Sequence, residues 1–515
     1  MSHLLGLDLG TSSAKAMLFN PNTRRPVAVA GHEYPVNKPA PNHAEQDPET
    51  WWQAIVNIVR RVTAQAQHPP ITAISFSGQM HGTVLLNAQN QPLHPAIIWA
   101  DQRSAAECTQ LIDTLGREKY AALTGTLPAV GFMGPTLLWL ARHQPDLLAQ
   151  ARHVVLPKDY IRLKMTGKIA TDVSDAASTA IFNIHRNTWA DAILQHVDLP
   201  PEILPPVLAS TAVAGQLTPH AAEELGLQAG IPIIAGCADQ PAQAIGNGII
   251  APGKASVTTG SGGQVFTPLS PSNGPLPTDP RLHVFNHAVP NMWYGMGAIL
   301  SAGLSLRWLR DLTGLQHNPN AYATLSAEAA DVPPGANGLI FLPYLSGERT
   351  PHMDPLARGS FIGLTHYHQR GHLARAVMEG VAMALRQALE INLLLGGRVE
   401  IIIAAGGGAE SAVWRQIQAD VFGLPLRQSL LGEQASVGAA LLAGVGAGVY
   451  ANLEEACVGV VEYGPITSPD EVTHSRYNEL YVRFTELYPR LREDFHWLSG
   501  FSAIKAVNTK MKLAD

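Results

Sequence analysis

LLGLDLGTSSAKAMLF, residues 4–19, joins two apolar segments through a turn of glycine and hydroxyl residues. GKASVTTGSGGQVFT, residues 253–267, repeats this pattern about half the chain away. Each segment predicts a β-hairpin whose turn presents unpaired backbone N–H groups, which form a concave site for an anion such as phosphate. The repetition predicts a duplicated domain whose two copies together hold a nucleoside triphosphate.

The length and composition predict a compact protein of at least two domains. The chain has 515 residues, more than one hydrophobic core usually supports. Its hydrophobic content of 46% and charged content of 15% are typical of a globular enzyme and argue against disorder. We place the boundary before the second hairpin, which gives an N-terminal domain of residues 1–249 and a C-terminal domain of residues 250–515. The proline-rich stretch 268–280 should be a loop of the second domain.

The charges and the cysteines narrow the class of ligand and the compartment. A net charge of -6 without a basic cluster makes a nucleic-acid or anionic-membrane partner unexpected, so a small molecule fits better. Three widely spaced cysteines predict free thiols in a reducing compartment, with the cytoplasm as the default. We expect neither a signal peptide at the start nor a membrane span in the glycine-rich segment 435–452. The oligomeric state stays open, and a homodimer is one option.

Alternating helix and strand patterns predict an α/β fold. Residues 49–63 have helical spacing, with Asp47 as the N-cap, and residues 70–77 read as a strand. In the second half, a long helix over 371–395 is followed by a β-branched strand over 399–405. This strand runs into three glycines before a helix over 411–422, an arrangement typical of nucleotide contact at the C-terminal end of a strand.

Asp8 lies at the end of the first predicted strand, just before the turn that contains Thr11 and Ser12. A carboxylate there can hold hydrated Mg²⁺ against phosphates lying on the turn, and Lys15 can act as a cation for phosphate oxygens. One such motif alone could equally be a surface hairpin in which Asp8 starts an Asx-turn, but the second hairpin favours phosphate binding. The chain contains neither the P-loop motif nor the protein-kinase glycine-rich motif, so the two commonest kinase classes are excluded.

Asp239 follows an apolar strand over 231–236 and precedes a helix opened by Pro241. Helix N-termini favour the ionised carboxylate, so we expect Asp239 to be charged at pH 7, with a low pKa, and able to accept a proton. The competing interpretation is that Asp239 only caps the helix. Cys237, two residues earlier, has no cationic neighbour in sequence and is expected to be a small buried hydrophobic residue.

Polar residues at the ends of two further apolar runs are candidates for ligand contacts. Gln79, Met80 and His81 follow the strand over 71–77, while Trp99 and Asp101 follow a second apolar run. A third group of polar residues, His366, His368 and His372, resembles metal-ligand spacing, but it lies in a polar loop, and we do not expect zinc there.

Taken together, these motifs resemble the FGGY carbohydrate kinases of the actin and hexokinase-like superfamily. LDLGTSSAK and VTTGSGG are similar to that family's two phosphate segments, AGCADQPAQAIG to its catalytic-aspartate segment, and AAGGGAES with QASVGAALLAG to its adenosine turn and the following helix. The xylulokinase subgroup is suggested by AEQDPETWW, SGQMHG, VLPKDYIRLKMTG, ATDVSDAAST and FLPYLSGERTPH.

The resemblance implies two ribonuclease-H-like domains around a central cleft, with a ketose on the N-terminal domain and ATP with Mg²⁺ mainly on the C-terminal one. It implies Asp239 as the proton acceptor, Asp8 as the residue serving metal and phosphates, and Met80 and His81 as sugar contacts. The implied phosphate contacts are Gly260, Ser261, Gly262 and Gly263, and the implied adenosine contacts are Gly407, Gly408 and Ser411.

Three departures from the family pattern leave the sugar open. Gln240 follows Asp239 where Asn is common, and Thr136 stands where relatives have lysine. The second phosphate turn reads Gly260-Ser261-Gly262-Gly263 where Gly-Thr-Ser-Gly is usual, which removes one hydroxyl donor. The first alternative is therefore a kinase for another pentulose, a hexulose or a polyol. The second is a non-catalytic sugar-sensing protein that binds ATP, which the presence of both Asp8 and Asp239 argues against.

Overall fold

A computed structural model describes residues 2–197, 199–270 and 276–511. The chain divides into two compact units. Unit 1 comprises residues 1–251, 268–294 and 430–462, and unit 2 comprises residues 252–267, 295–429 and 463–515. Both units combine helices with a mixed β-sheet, so the predicted α/β class is confirmed.

The helices and strands alternate along the chain as in other α/β proteins. The strands are β1 (His3–Leu9), β2 (Ser13–Asn20), β3 (Arg25–Glu33), β4 (Glu45–Gln46), β5 (Ile71–Gly78), β6 (Val84–Leu86), β7 (Ala96–Ile97), β8 (His153–Val155), β9 (Thr171–Asp172), β10 (Phe182–Asn183), β11 (Thr188–Trp189), β12 (Val207–Leu208), β13 (Val213–Gln216), β14 (Pro232–Ile234), β15 (Cys237–Ala238), β16 (Gly253–Thr259), β17 (Gly263–Leu269), β18 (His283–Asn286), β19 (Trp293–Ile299), β20 (Ile340–Leu342), β21 (Ser360–Ile362), β22 (Val399–Ala405), β23 (Leu426–Ser429) and β24 (Tyr463–Thr467).

The helices range from single turns to one long C-terminal helix. They are α1 (Pro48–Gln65), α2 (Ala105–Leu115), α3 (Arg117–Thr124), α4 (Met133–His143), α5 (Pro145–Ala149), α6 (Pro157–Thr166), α7 (Val173–Ala177), α8 (Asp191–Leu194), α9 (Pro219–Leu225), α10 (Asp239–Gly246), α11 (Gly303–Leu312), α12 (Ala321–Ala330), α13 (Arg370–Leu394), α14 (Ala412–Phe422), α15 (Gln434–Gly446), α16 (Leu453–Cys457) and α17 (Glu471–Met511), with short 3-10 helices at Pro201–Ile203, Ala336–Gly338 and Gly407–Glu410.

The sheets of the two units have the same strand order. In unit 1 the order is β13-β14-β5-β1-β2-β3, and β15 also pairs with β5. The second seven-stranded sheet has the order β24-β23-β22-β16-β17-β19-β18, which repeats the first order over six strands. Each begins with an antiparallel hairpin, β1–β2 or β16–β17, whose first strand also pairs in parallel with the next long strand. The duplication predicted from the two hairpin segments is therefore confirmed.

Several predicted elements are found within one or two residues of their expected bounds. α1 begins at Pro48, and the Asp47 side chain accepts a hydrogen bond from the Glu49 N–H, as an N-cap does. The glycine-rich segment predicted not to span a membrane contains α15, whose residues are mostly buried. Among the described residues no helix is both long and apolar enough to cross a membrane. All three cysteines are free thiols.

The predicted domain boundary differs from the two compact units in two segments. Residues 268–294 and 430–462 pack with unit 1, although both follow the proposed boundary at residue 249. The second segment carries α15, whose apolar side chains share a hydrophobic core with those of β1 and α10. Such a return of the chain depends on long-range packing, which composition and local pattern do not reveal. Of the proline-rich stretch, residues 271–275 lie outside the described residues.

Close packing of α15 on β1 depends on glycine. A Cβ at Gly6 would lie 2.1 Å from the Ser436 carbonyl oxygen and 2.7 Å from the Ala440 nitrogen. A Cβ at Gly438 would lie 2.0 Å from the carbonyl oxygen of Ala242 on α10. These contacts are backbone atoms that cannot rotate away, so only glycine fits at these two positions.

We predict that Gly6→Ala destabilises the protein by about 1–3 kcal/mol, because the added methyl group must push α15 away from the sheet. Gly432→Ala is the matched control, since Gly432 is exposed and an added Cβ would meet no atom within 4 Å. Thermal unfolding of both variants measures the difference. Equal midpoints for the two variants would contradict the packing described here.

Candidate functional site

The sheet of unit 1 brings Asp8 and Asp239 to the same edge. β1, β5 and β15 run parallel, with Asp8 and Cys237 both in register with Ser77 on the middle strand. Asp239 begins α10 two residues after Cys237. Because parallel strands end at one edge of a sheet, the two predicted catalytic carboxylates face the same region.

Asp239 is partly buried, with its Oδ1 atom withdrawn from solvent, and this raises its pKa to about 7. Burial is the main cause because it removes water from the charged form, and the negative charge of Asp8 acts in the same direction. Hydrogen bonds from Gln240 lower the pKa only in part. In the described part of the chain, Asp239 Oδ1 has no hydrogen-bond partner. A carboxylate with this pKa can gain and lose a proton near neutral pH, as a general base must.

Two expectations about Asp239 were wrong. The helix N-terminus was expected to keep its pKa low, but α10 has only 8 residues and burial outweighs its dipole. The alternative role of helix cap does not fit either. Ala238 occupies the N-cap position, and no side chain caps this helix.

Asp8 is also partly buried, and loss of water raises the pKa of its carboxylate. The Ser77 hydroxyl donates a hydrogen bond of 2.8 Å to Asp8 Oδ1, and both this bond and the charge of Lys15 lower the pKa. The negative charge of Glu433 raises it again. Asp8 thus adds negative charge beside Asp239. The hydrogen bond from Ser77 fixes its orientation, which suits a carboxylate that binds a cation.

Lys15, predicted to contact phosphate oxygens, forms an ion pair in the structure. Its Nζ atom lies 2.6 Å from Oε2 of Glu433, the residue before α15. Both side chains are partly exposed, and such pairs contribute only ~0–1 kcal/mol. The pair is therefore weak enough for Lys15 to exchange Glu433 for a phosphate group.

The turn between β1 and β2 is tied to two of the predicted sugar contacts. The Thr11 hydroxyl accepts a hydrogen bond of 2.7 Å from Trp99 Nε1 and donates one of 3.3 Å to Gln79 Oε1. Ser12 is exposed, and its carbonyl oxygen accepts the N–H of Tyr34. Thr11 is therefore a connecting residue, while Ser12 is open to solvent at the tip of the turn.

A residue that the sequence analysis did not single out organises this turn. Gln46 Nε2 donates to the Thr11 carbonyl oxygen at 2.7 Å, and Gln46 Oε1 accepts from Gln79 Nε2 at 3.0 Å and from Trp51 Nε1 at 3.2 Å. Gln46 and Trp51 lie in AEQDPETWW, which the sequence analysis used only for its family resemblance. Their burial and hydrogen bonds are not visible in the sequence, so the motif itself is the signal that could have found them.

Met80 is buried, and His81 has a constrained backbone and ring. His81 has a φ of 73°, its Nδ1 lies 2.7 Å from the Ser178 carbonyl oxygen, and its ring stacks on Phe132 at 3.8 Å between centroids. His283 and Phe285 continue this aromatic group, with ring centroids 5.6 Å apart. A stacked aromatic wall offers an apolar face, as sites for the C–H faces of sugars do. Phe132, His283 and Phe285 carry no local signal, because packing alone brings them to His81.

Asp101, which was predicted to contact a ligand, forms hydrogen bonds within the protein. Its carboxylate accepts hydrogen bonds from Arg103 Nε (2.8 Å), from Arg103 Nη2 (2.8 Å) and from the Ala44 N–H (2.7 Å). The residue is almost fully buried. Asp101 therefore fixes the loop that carries the partly exposed Trp99, and its oxygens are already satisfied by protein donors.

The second hairpin turn lines a cavity of about 780 Å³ in unit 2. The predicted residues Gly260, Ser261, Gly407, Gly408 and Ser411 line it. Arg307 and Tyr322 are among the lining residues that were not predicted. Gly262 does not line the cavity. It lies against β19, where a Cβ would be 2.8 Å from the Ile299 carbonyl oxygen.

The turn at Gly260 and Ser261 is held at the start of α11. The N–H of Gly303 donates to the Gly260 carbonyl oxygen, and those of Ala302 and Leu304 donate to the Ser261 carbonyl oxygen. Arg307 on the same helix lies 3.3 Å from the Ser261 hydroxyl and adds a cation to the cavity. The first N–H groups of α11 are thus used to hold the turn, and Arg307 is the cation that can bind phosphate oxygens here.

The opposite wall of the cavity is built from the glycines after β22. Gly406 has a φ of 80°, and a Cβ on Gly408 would lie 2.5 Å from Thr259 Cγ2, so the chain passes close to the first wall. Gly407 has open space around it. The Ser411 hydroxyl accepts the Trp414 N–H and lies 3.1 Å from the Ser326 hydroxyl. The glycines and Ser411 leave this wall without large side chains, which gives an aromatic base room to approach.

The histidines after β21 contact neighbours of their own loop. His368 Nδ1 lies 2.9 Å from the Thr365 nitrogen, and His372 forms a capping box with Gln369 at the start of α13. Across the part of the chain that the structure describes, no group of three or more His, Cys, Asp or Glu side chains is placed to hold a metal.

Comparisons with known proteins agree with this arrangement. Residues 3–246 match the model for the FGGY family of carbohydrate kinases, N-terminal domain, and residues 255–447 match the C-terminal domain. The chain is 38% identical over 491 residues to a xylulose kinase from Escherichia coli, covering 95% of this chain and 99% of that protein. It is 32% identical over 432 residues to a gluconokinase from Bacillus subtilis, covering 82% and 83%.

A solved structure confirms the predicted actin and hexokinase-like fold. The crystal structure titled a xyloylose kinase from Brucella ovis superposes with a TM-score of 0.89 at 35% identity. It covers 95% of this chain and 99% of its own.

Burial of Asp239 has a consequence for stability that can be measured. Its pKa is about 7 in the folded protein and about 3.9 in an unfolded chain, so the folded state binds more protons between these values. Stability should therefore fall as the pH rises from 4 to 7. We predict that Asp239→Asn unfolds at a higher temperature than wild type above pH 7 and that this advantage vanishes below pH 4.

Asp113→Asn is the matched control for this prediction, because Asp113 is an exposed aspartate on α2 of the same unit. Thermal unfolding at pH 4, 6 and 8 compares the three proteins. An Asp239→Asn midpoint that follows wild type at every pH would contradict the raised pKa.

Proposed function

The chain belongs to the FGGY family of carbohydrate kinases, and we propose that the sugar it phosphorylates with ATP is D-xylulose, giving D-xylulose 5-phosphate. The printed names of several curated relatives support this sugar. The single observation that carries the catalytic proposal is the partly buried Asp239 beside Asp8, with a pKa of about 7. A module that only binds sugar needs no such base.

Asp239 would act on the terminal hydroxyl of the sugar. Its unpartnered Oδ1 is free to accept a hydrogen bond from that hydroxyl. As the hydroxyl oxygen forms its bond to the γ-phosphorus, the bond from that phosphorus to the ADP oxygen breaks, and the hydroxyl proton passes to the Asp239 carboxylate. The proton must later leave Asp239 for water, which a pKa near 7 allows.

We assign ATP to the cavity of unit 2. Gly260, Ser261 and Arg307 would bind phosphate oxygens, and Gly407, Gly408 and Ser411 would border the adenosine. The cavity volume of about 780 Å³ is in the range of sites for ligands of this size. Thr11, Ser12 and Lys15 would meet the γ-phosphate from the first hairpin.

Mg²⁺ fits the donors that the chain provides. This ion keeps several waters and takes one or two carboxylates together with phosphate oxygens, so a dedicated cluster of protein ligands is not needed. Asp8, oriented by Ser77, is the carboxylate that would hold it through water. When bound, Mg²⁺ neutralises charge on the phosphates.

The sugar would lie beside Asp239 on unit 1. Met80, His81 and Gln240 are its proposed contacts, with Gln79 and Trp99 fixing the shape of the site through Thr11. We give Asp101 a structural part only, since its carboxylate is bonded to Arg103 and Ala44. Free thiols agree with a cytoplasmic enzyme, which stays an expectation.

We predict that Asp239→Asn lowers kcat by roughly 10² to 10⁴, the usual effect of removing a positioned base, with KM for sugar and ATP within a few-fold. Wild-type kcat should rise with pH up to an apparent pKa of about 7, because Asp239 must lose its proton before it can accept another. Steady-state kinetics from pH 5 to 9 test both statements. A variant kcat within threefold of wild type would remove Asp239 from the mechanism.

The sugar preference is tested with a panel of D-xylulose, other pentuloses, a hexulose, a polyol and gluconate in a coupled ATP assay. We expect the highest kcat/KM with D-xylulose. Gln240→Asn should change the ranking, because the shorter side chain moves the amide by about one C–C bond. Gln243→Asn, one turn further along α10, is the control. If another substrate has a higher kcat/KM than D-xylulose, the sugar assignment is wrong. If the ranking is unchanged in Gln240→Asn, this residue does not contribute to sugar selection.

A further inference from the structure

A buried cluster of charged side chains lies under the strands that carry the proposed base. We call Lys158, Asp159, Arg162, Asp172 and Asp175 the Lys158 cluster. All five side chains are almost fully buried. Lys158 Nζ lies 2.7 Å from Asp159 Oδ1, 2.9 Å from Asp172 Oδ1 and 2.9 Å from Asp175 Oδ2. A Cβ at Gly78, the end of β5, would lie 2.7 Å from Lys158 Cβ, so the strand rests directly on this lysine.

A continuous series of contacts leads from the Lys158 cluster to the residue before the base. Asp172 Oδ2 accepts hydrogen bonds from the Ser174 hydroxyl at 2.6 Å and from the Ser174 N–H at 3.0 Å. The Ser174 hydroxyl oxygen in turn accepts the N–H of Ala238 at 3.0 Å. With its hydrogen donated to Asp172, this hydroxyl has its lone pairs directed at Ala238.

The Ala238 N–H controls where the Asp239 carboxylate points. Ala238 is the N-cap residue of α10, with φ of -59° and ψ of 158°, and Asp239 is the first helical residue. Because Asp239 Oδ1 has no protein partner among the described residues, contacts of that oxygen do not fix the side chain. Its aim depends on the backbone at Ala238, together with the hydrogen bonds from Gln240.

We propose that Ser174, held by Asp172 and Lys158, is a positioning residue that fixes the Ala238 backbone and thereby aims the Asp239 carboxylate at the sugar hydroxyl. The inference rests on the proposed role of Asp239 as the base. Ser174 itself touches neither substrate nor reacting atoms. Its effect on the reaction passes entirely through Asp239.

The test variant is Ser174→Ala. It leaves the Ala238 N–H without its acceptor, so we expect kcat to fall about tenfold or more, as small misplacements of catalytic groups do, with KM for sugar and ATP within threefold. Lys158 is a poorer target, because its removal would leave three buried carboxylates without their shared cation and endanger folding.

Ser210→Ala is the matched control. The Ser210 hydroxyl donates to the same Asp172 Oδ2 at 2.7 Å, but its side chain has no hydrogen bond to Ala238. Both serines are buried, so both variants should lose similar thermal stability, while only Ser174→Ala should lose kcat. Equal kcat values for the two variants would overturn the positioning role.

The pH dependence of kcat in Ser174→Ala is a second measurement, and a purely structural role of Ser174 would leave it unchanged. Asp239 has its raised pKa because it is partly buried beside Asp8, and Cys237 and Tyr294 are the other titratable groups that interact with it. A carboxylate that is less firmly held is better hydrated, so the acid limb of kcat in Ser174→Ala should move to lower pH. An unmoved limb would contradict the inference.

A double-mutant cycle separates this inference from the proposed function. If Ser174 acts through Asp239, Ser174→Ala should cost nothing further in the Asp239→Asn background. A tenfold loss in that background would show a different route and overturn the inference alone. Failure of Asp239→Asn itself to lower kcat would overturn the proposed function first.

Discussion

Burial of one carboxylate beside another is the constraint on which this structure depends. Asp239 is raised to a pKa of about 7 by loss of water and by the charge of Asp8, and each condition opposes folding at neutral pH. The surrounding packing must offset this cost. The raised pKa that makes Asp239 useful as a base therefore lowers the stability of the folded protein, and the close packing around it offsets this loss. Such a trade-off is expected where function requires a destabilised group.

The packing that offsets this cost comes from the far end of the chain. α15 lies against β1 and α10, so one helix supports both elements from which Asp8 and Asp239 project. Glycines at 6 and 438 allow its backbone to approach theirs, and the ion pair of Glu433 with Lys15 joins its start to the first hairpin. Residues 430–462 thus belong to unit 1 because they pack against the elements that carry Asp8 and Asp239.

The sequence predicted the parts of this site that are local in the chain. The two hairpins, the strand before Asp239 and the glycines after β22 each have a short pattern of apolar residues and glycine, and each was found. What the sequence could not predict is non-local: the raised pKa of Asp239, the ion pair of Lys15 with Glu433 and the hydrogen bonds of Asp101 to Arg103 all depend on groups brought together by packing. The helix dipole depends on α10 alone, whereas the burial of Asp239 depends on all the elements at this edge of the sheet.

The Lys158 cluster holds more carboxylates than cations. Two cations, Lys158 and Arg162, face three carboxylates, Asp159, Asp172 and Asp175. Burial raises the pKa of Asp175 well above its usual range, and this opposes the surplus of negative charge. Asp172, paired with Lys158, accepts the Ser174 hydroxyl, which in turn accepts the Ala238 N–H. Charge pairing in this buried layer therefore supports Ser174 behind the residue that precedes the base.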